Sequence, residues 1–386
     1  MSERSEENVP PAGVKVGKPA PTVVKAAAKA GYSQYWLLWR RFRKHRAGVG
    51  GGVVLAVVLG AVGLSEFLSP YAPARREFAY VHLPPQRVRF VSAEGFSWRP
   101  FVYGVRSERD EATGLKRYAE DRGVRHPIRF LVRGDRYSFY GLFESDVHLF
   151  GVEGGPCHLL GTDRFGRDLL TRLLYGGRVS LTVGLLAVLV SITLGTVIGM
   201  VSGFYGGRVD HLIQRLIELI FSFPSIPILM ALSALLPPQW PSYLTFMGIV
   251  TVLSLVGWGS LAREIRGKTL VVREADYILA ARSCGAKDRR ILFRHILPAM
   301  YSHVIVISTL AVPGFILSES TLSFLGLGIK PPLTSWGLLL SDAMNLHVLY
   351  LYPWLLAPGA CIIATVLALN FLGDGLRDAA APFSGR

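Results

Sequence analysis

The chain has 386 residues, of which 51% are hydrophobic and only 18% are charged, and its mean hydropathy is +0.37. A soluble chain carries about a quarter charged residues, so this composition excludes an ordinary soluble domain. The formal net charge of +15 indicates a membrane protein whose Lys and Arg residues collect in cytoplasmic loops, and no nucleic-acid partner is expected.

The N-terminal region divides into a tail and a short helix. Residues 1–31 are rich in Ala, Pro, Lys and Glu without an apolar period, which predicts a disordered cytoplasmic tail. Residues 32–46 place Trp36 and Trp39 beside five basic side chains. This pattern is typical of an interfacial amphipathic helix that contacts anionic membrane lipid. We therefore expect the N-terminus to lie in the cytoplasm.

Five long stretches contain no Asp, Glu, Lys or Arg, and each approaches the roughly 20 apolar residues that a membrane-spanning helix needs. They are 47–65, 179–207, 219–262, 299–317 and 348–372. The third is long enough for two spans, and Pro237, Pro238 and Pro241 divide it because proline cannot continue a helix. The sequence thus predicts an all-α membrane protein with six transmembrane helices, the first at 47–68.

The charges of the loops predict the orientation. The segment 263–294 carries nine Lys and Arg residues against four acidic ones. The short loop 237–243 carries no charge, and 329–347 carries only one basic residue, Lys330. Because basic residues are retained on the cytoplasmic side, both termini are expected in the cytoplasm, with 377–386 as a second cytoplasmic tail.

Residues 69–157, between the first two predicted spans, are too many for a simple connection. Short apolar and aromatic segments recur there between turn signals, as in Phe101-Val-Tyr and Ile128-Arg-Phe-Leu-Val. This pattern predicts a small β-rich insert outside the cytoplasm. The insert either docks a partner or caps the mouth of a pore, and the sequence leaves both roles open.

Several motifs follow one another in a characteristic order. They occupy 160–180, which begins Leu160-Gly-Thr-Asp-Arg-Phe-Gly, and then 203–215, 276–286, 294–298, 319–328 and 370–378. Together with 36–68, these motifs resemble the second permease of the dipeptide and oligopeptide family of ATP-binding cassette (ABC) importers. The resemblance identifies 158–178 as a family signature segment and 179–376 as a type-1 ABC transmembrane permease domain.

The resemblance implies the six-helix fold of type I importer permeases in the bacterial inner membrane, with 69–157 in the periplasm. It also implies four partner subunits, namely a homologous second permease, two ATPases and a solute-binding protein. The expected function is ATP-driven import of peptides or similar small solutes, with no cofactor. Related permeases also serve oligosaccharides, opines and nickel, so the resemblance leaves the substrate open.

The same family carries a cytoplasmic loop that contacts the ATPase, with the pattern Glu-Ala-Ala, three residues, Gly, nine residues, Ile-x-Leu-Pro. Here Leu279 stands for the Glu and His295 for the Ile. The positions that match are Ala280, Ala281, Gly285, Leu297 and Pro298.

The residues of this loop predict its shape. A glycine at 285 permits a left-handed turn that ends a short helix. We expect the two small alanines to enter a groove of the ATPase, and Arg282, Arg289 and Arg290 to pair with acidic residues there. Leu297 and Pro298 are expected to begin the next membrane helix.

Catalytic signatures are missing from the sequence. The segment 262–269 resembles a nucleotide-binding loop, but it has Ala262 where the first Gly belongs and follows a predicted membrane helix. No His-Glu-x-x-His motif or close Cys pair indicates a metal site. We therefore expect no enzymatic activity, no catalytic residue and no metal site in this chain, and the ATPase is expected to be a separate subunit.

Two acidic residues stand at predicted span ends. Glu66 is expected to be structural and to reach water from the outer end of the first span. Glu319 follows the fifth predicted span, where it is a candidate pore-lining residue or a simple helix-end residue.

The competing function is a self-contained secondary transporter or channel, which inverted repeats, broken helices and buried carboxylates would favour. No clear repeat is visible in the sequence, and the predicted spans hold almost no charge. A membrane-embedded enzyme is a third class, but the chain lacks a reactive group of residues.

Overall fold

The computed structural model describes residues 34–92, 95–109 and 116–380. The predicted tail 1–31 and most of the predicted tail 377–386 lie outside this part of the chain. The described residues are mainly helical, with one β-sheet between the first and second long helices. The helices are α1 Gln34–Phe42, α2 Arg46–Gly63, α3 Ser65–Leu68, α4 Leu169–Tyr205, α5 Gly207–Phe221, α6 Ser225–Ala234, α7 Ser242–Val272, α8 Asp276–Ser283, α9 Asp288–Ile291, α10 Leu297–Phe324, α11 Trp336–Ser341, α12 Leu346–Leu351 and α13 Ala357–Ala380.

Five helical segments in the described part of the chain are long and apolar enough to cross a membrane. They are Arg46–Gly63, Leu169–Tyr205, Ser242–Val272, Asp288–Phe324 and Pro353–Ala380. A sixth crossing exists only if α5 and α6, which meet at an angle of 85°, count together as one span. The last helix continues to Ala380, so the predicted boundary of the C-terminal tail at residue 377 lies inside a helix.

The predicted third span is therefore not one straight helix. α5 ends at Phe221, and α6 begins after Pro224, whose backbone is extended at φ −58° and ψ 135°. A residue that precedes proline is disfavoured in helical geometry, which breaks the helix ahead of Pro224. The predicted division further along is confirmed, since α6 ends at Ala234 and Pro241 is the N-cap of α7.

The fifth predicted span has helical structure ahead of its predicted start. α10 begins at Leu297 with Pro298 in its first turn, as predicted, but helical structure runs on into it from Asp288 without a break. A π-helical turn, Leu292–Ile296, joins α9 to α10, and the amide of Leu297 bonds to the carbonyl of Leu292. Pro298 has no amide hydrogen, so it cannot make the usual bond to the carbonyl four residues earlier. The wider turn accommodates that missing bond without ending the helix.

Among the described helices, α4 and α7 share the most extensive contact. Gly195, Gly199 and Gly203 stand on one face of α4, four residues apart. A Cβ at Gly199 would lie 2.5 Å from the carbonyl oxygen of Ala262, and one at Gly203 would lie 2.9 Å from that of Arg266. The two backbones therefore touch, which only glycine permits, as in close helix pairs of other membrane proteins.

The predicted β-rich insert is confirmed as a four-stranded antiparallel sheet in the order β1-β2-β3-β4. Its strands are β1 Arg89–Ser92, β2 Gly95–Arg109, β3 Lys116–Phe139 and β4 Phe143–Val152. Phe101 pairs with Pro127, and Phe130 pairs with Phe150. The apolar side chains Phe101, Val102 and Ile128 are buried near the middle of the sheet.

Contrary to the expectation from the sequence, Glu66 does not reach water. Its side chain is buried, and it accepts two hydrogen bonds from the guanidinium of Arg178, at 2.7 and 2.5 Å. Burial alone would raise the pKa of Glu66, but the hydrogen bonds and charge of Arg178 outweigh it, so the pKa lies below its ordinary value. The pair joins α3 to α4 at the end of the bundle that adjoins the β-sheet.

We expect Gly199→Leu to lower the thermal unfolding midpoint of the purified chain in detergent by several degrees. Overpacking a core costs about 1–3 kcal/mol, and here the added atoms would meet backbone that cannot move aside. Gly60→Leu on α2 is the matched control, because a Cβ there would meet nothing within 4 Å. Equal midpoints for the two variants would contradict a backbone contact between α4 and α7.

Candidate coupling surface and translocation groove

α8 is fixed to the bundle by one apolar side chain. Ile278 is fully buried in a cluster that joins the ends of three long helices. The other members of this cluster are Ile192, Met200, Phe204, Leu261, Ile265, Ile291, Leu292, Ile296, Met300 and Ile307. A displacement of α8 therefore acts directly on α4, α7 and α10, because close-packed side chains transmit strain.

The predicted left-handed turn at Gly285 is present. Its φ is +76°, and nothing lies within 4 Å of the place where a Cβ would stand. The amide of Gly285 donates to the carbonyl of Arg282 at 2.9 Å, and that of Ala286 donates to Ala281 at 3.0 Å. These two bonds form a Schellman motif, which gives α8 a sharp end.

The outer face of this loop is accessible. Ala280, Arg289, Arg290 and Pro298 are exposed, whereas Ala281 and Leu297 are half-buried. Leu279 is 45% exposed and Tyr277 is 49% exposed, so the loop presents apolar as well as basic side chains. Their contact with an ATPase remains a prediction.

Arg282 has a partner within its own chain. Its guanidinium lies 4.7 Å from the centroid of the Phe204 ring, at the cytoplasmic end predicted for α4. A cation stacked on an aromatic face is stabilised by the ring quadrupole. Arg282 thus contributes to holding α8 against α4, in addition to the outward role predicted from the sequence.

Sequence analysis missed a charged pair beside this loop. Arg266 on α7 donates two hydrogen bonds to the carboxylate of Asp210 on α5, at 2.6 and 2.5 Å. Ser202 on α4 donates to the same carboxylate at 2.5 Å. The sequence did place Asp210 within the family motif 203–215. Its pairing with Arg266 could not be predicted, because it depends on how closely α5 approaches α7.

A groove of about 340 Å³ lies between α6, α7 and α10. Its wall combines small residues, such as Gly257 and Gly314, with the hydroxyls of Ser225, Ser260 and Ser318. Phe221 and Phe315 add apolar surface. None of the described residues that line this groove is charged, so the three hydroxyls are its polar side-chain groups.

Glu319 lies one residue from the groove wall but faces away from solvent. It is inside α10 and is fully buried. Its carboxylate accepts hydrogen bonds from Ser180 at 2.8 Å and from Ser323 at 2.6 Å. The hydroxyl of Ser180 also accepts the amide of Trp336 at 3.1 Å, which extends the contact to α11. Glu319 thus joins α4 to α10 here, and its role in lining a pathway remains a prediction.

The signature segment 158–178 anchors the start of α4. Asp168 caps the helix by accepting the amide of Thr171 at 2.7 Å, and it pairs with the buried ring of His158 at 2.9 Å. Asp163 bonds to Arg172 and to the side chain of Arg167.

These contacts shift two pKa values. Burial alone would raise the pKa of Asp163, but the charge of Arg172 outweighs it, so the pKa is lowered. Burial alone would lower the pKa of His158, but its hydrogen bond to Asp168 outweighs it, so the pKa is raised. Both residues are therefore stabilised in their charged forms, as parts of a structural ion network at the start of α4.

The segment resembling a nucleotide-binding loop lies wholly within α7. Its amides belong to a continuous helix, whereas a phosphate-binding loop presents free amides. Among the described residues, no group of three or more His, Cys, Asp or Glu side chains could hold a metal ion.

The long apolar helices and the glycine-packed helix pair define a multi-pass membrane protein. Two family descriptions match the chain: "binding-protein-dependent transport system inner membrane component" over residues 195–384, and "N-terminal TM domain of oligopeptide transport permease C" over residues 33–85. The chain belongs to the binding-protein-dependent transport permeases and is a permease subunit of an ABC importer.

Characterised relatives are similar over most of their length. The oligopeptide transport system permease protein OppC of Haemophilus influenzae is 43% identical over 227 residues, which is 58% of this chain and 70% of that protein. OppC of Bacillus subtilis is 38% identical, over 62% of this chain and 76% of the relative. The glutathione transport system permease protein GsiD of Pectobacterium atrosepticum is 40% identical, over 59% of this chain and 74% of the relative.

We expect the pair Asp210 and Arg266 to behave as one unit in a double-mutant cycle of thermal stability. Asp210→Ala and Arg266→Ala should each destabilise the chain, and the double variant should lose less than their sum by on the order of 1 kcal/mol. Arg215→Ala and Glu218→Ala, which break an exposed pair, are the matched control and should show a smaller coupling. Strict additivity at Asp210 and Arg266 would contradict their energetic contact.

Proposed function

We propose that this chain forms one half of the pathway through which an ABC importer moves peptides into the cytoplasm. The observation that carries the proposal is the groove between α6, α7 and α10, whose mainly apolar wall carries three hydroxyls and several small residues but no charged side chain. Such a wall accommodates many peptide side chains, because it offers hydrogen bonds without selecting for one charge. The oligopeptide and glutathione permeases among the relatives support this substrate class.

The proposed assembly contains a homologous second permease, two ATPases and a solute-binding protein outside the membrane. The groove faces the second permease and becomes a closed pathway only when the two permeases meet. The proposed topology has six spans, with α5 and α6 together as the third, and both termini in the cytoplasm. The bend between them supports this count, because irregular backbone is tolerated in a membrane where it lines a cavity.

The proposed coupling element is the knob formed by α8, Gly285 and α9. Ala280, Ala281 and Leu279 would enter a groove of the ATPase, and Arg289 and Arg290 would pair with acidic residues around it. Closure of the ATPases on ATP would displace the knob, and Ile278 would carry that displacement into α4, α7 and α10. The bundle would then exchange an inward-facing for an outward-facing state, because nucleotide favours one of two conformations.

The competing class is a self-contained secondary transporter or channel. The exposed knob argues against that class, because a self-contained protein needs no accessible apolar surface at this place. Oligosaccharides, opines and nickel are the competing substrates. Competition of labelled peptide uptake by each of these solutes distinguishes them.

We expect Gly285→Asp and Ala281→Glu to abolish uptake of a labelled peptide while the protein still inserts. A side chain at Gly285 strains the left-handed turn by about 1 kcal/mol or more, and the added charge would clash with the ATPase groove. Uptake in cells and pull-down of the ATPase subunits are the two measurements.

The matched control for these variants is Cys284→Ser. Cys284 adjoins the turn and is exposed, so it lies on the same surface as Gly285 but without the left-handed backbone. Its substitution should therefore leave uptake nearly unchanged. Normal uptake together with normal pull-down for Gly285→Asp would show that this loop does not transmit the signal. Loss of peptide uptake with all three variants would show that any change here unfolds the loop.

The topology makes a separate prediction. Reporters that fluoresce only in the cytoplasm, inserted at residues 25, 275 and 384, should be bright, and a reporter at 110 should be dark. The reason is that basic loops are retained in the cytoplasm, whereas long loops are exported regardless of their charge. A bright reporter at 110, or a dark one at 384, would contradict six spans with both termini inside.

A further inference from the structure

The turn between β3 and β4 exposes an unusual amount of apolar surface. This turn, residues 139–143, is called the hairpin tip. Leu142 is 80% exposed, Phe143 is 57% exposed and Tyr140 is 51% exposed. Turns in contact with water are normally polar, so adjoining exposed apolar side chains indicate a surface that another medium or molecule covers.

The hairpin tip lies level with the outer end of the first membrane helix. The hydroxyl of Tyr140 donates a hydrogen bond to the carbonyl of Gly63 at 3.1 Å. Gly63 is the last residue of α2, whose 18 residues span about 27 Å at 1.5 Å per residue. That length is close to the roughly 30 Å of a bilayer's hydrocarbon core. The tip is therefore at the depth where α2 leaves the hydrocarbon and enters the headgroup region.

Contacts with the bundle hold the hairpin tip at that depth. The guanidinium of Arg178 lies 4.2 Å from the centroid of the Tyr140 ring. The same guanidinium is fixed by its two hydrogen bonds to Glu66. Within the tip, the rings of Phe139 and Phe143 stack with centroids 5.3 Å apart. The tip is thus a rigid aromatic group beside a cation, a combination typical of membrane–water interfaces.

The apolar surface of the tip continues that of α2. Only 17% of this helix is buried within the chain, the smallest share of the five candidate spans in the described part. Val53, Val57 and Leu64 are exposed along α2 and just beyond its end. A stable protein interface buries about 800 Å² on each side, which is more than a five-residue turn supplies. Insertion into lipid does not require a minimum buried area of this kind.

We propose that the hairpin tip inserts into the outer-leaflet interface of the membrane and anchors the periplasmic insert to lipid. Leu142 and Phe143 occupy the boundary between headgroups and acyl chains, and Tyr140 places its hydroxyl against the end of α2. The anchor fixes the sheet with respect to the bilayer, independently of which solute the importer carries.

The test places an environment-sensitive fluorophore at the tip. Leu142→Cys in a Cys284→Ser background is labelled with NBD, and the importer is reconstituted in nanodiscs of phosphatidylethanolamine and phosphatidylglycerol. The labelled Cys284→Ser chain alone supplies the background from Cys157 and Cys361. Glu108→Cys is the matched control, because it is exposed and pairs with Arg117 at the other end of β3.

We expect blue-shifted emission at position 142, with several-fold stronger quenching by nitroxide lipids than at position 108. A nitroxide near the headgroup should quench more than one deep in the acyl chains. Water-like emission at 142 would overturn the proposal. Blue-shifted emission without lipid quenching, together with crosslinking of residue 142 to the second permease, would also overturn it and assign the tip to a protein contact.

Discussion

The contact of α4 with α7 through Gly195, Gly199 and Gly203 is the constraint on which the rest of the bundle depends. Apolar side chains gain little from leaving lipid for protein, so membrane helices associate through close packing instead. Glycine removes the side chains that would separate the two backbones, and a Cβ at Gly199 would stand 2.5 Å from a carbonyl oxygen. This contact positions two features of the bundle. The cluster around Ile278 includes residues of both α4 and α7, and α7 also supplies part of the groove wall.

Charged pairs hold the helix ends where the glycine contact stops. Asp210 and Arg266 join α5 to α7 near the knob, and Glu66 and Arg178 join α3 to α4 at the opposite end. A carboxylate or guanidinium that lost its partner in these partly buried places would be costly, which makes each pair specific for one arrangement. The bundle is thus fixed at its ends, whereas the groove between α6, α7 and α10 has no charged pair among its lining residues.

Irregular backbone concentrates beside the groove and the knob. The bend ahead of Pro224 turns α6 into the groove wall, and the π-helical turn before Pro298 continues α10 into the knob. Both follow from the missing amide hydrogen of proline or from the restriction it places on the preceding residue. Such turns often mark functional places in helices, because they permit a change of direction without loss of the helix.

The sequence by itself determined the elements whose signal is local. Uncharged runs identified the long helices, the recurring aromatic segments identified the β-rich insert, and Gly285 was predicted to end α8 because a left-handed turn needs glycine. The bend in the third predicted span, the π-helical turn ahead of α10 and the burial of Glu66 depended on structure, because proline distortions and partners distant in sequence decide them. Asp210 with Arg266, and Tyr140 with Gly63, are likewise contacts between residues that lie far apart in the sequence. Only the packing of the helices and the sheet brings such residues together. The order of residues in the sequence does not give the distance between them in the folded chain.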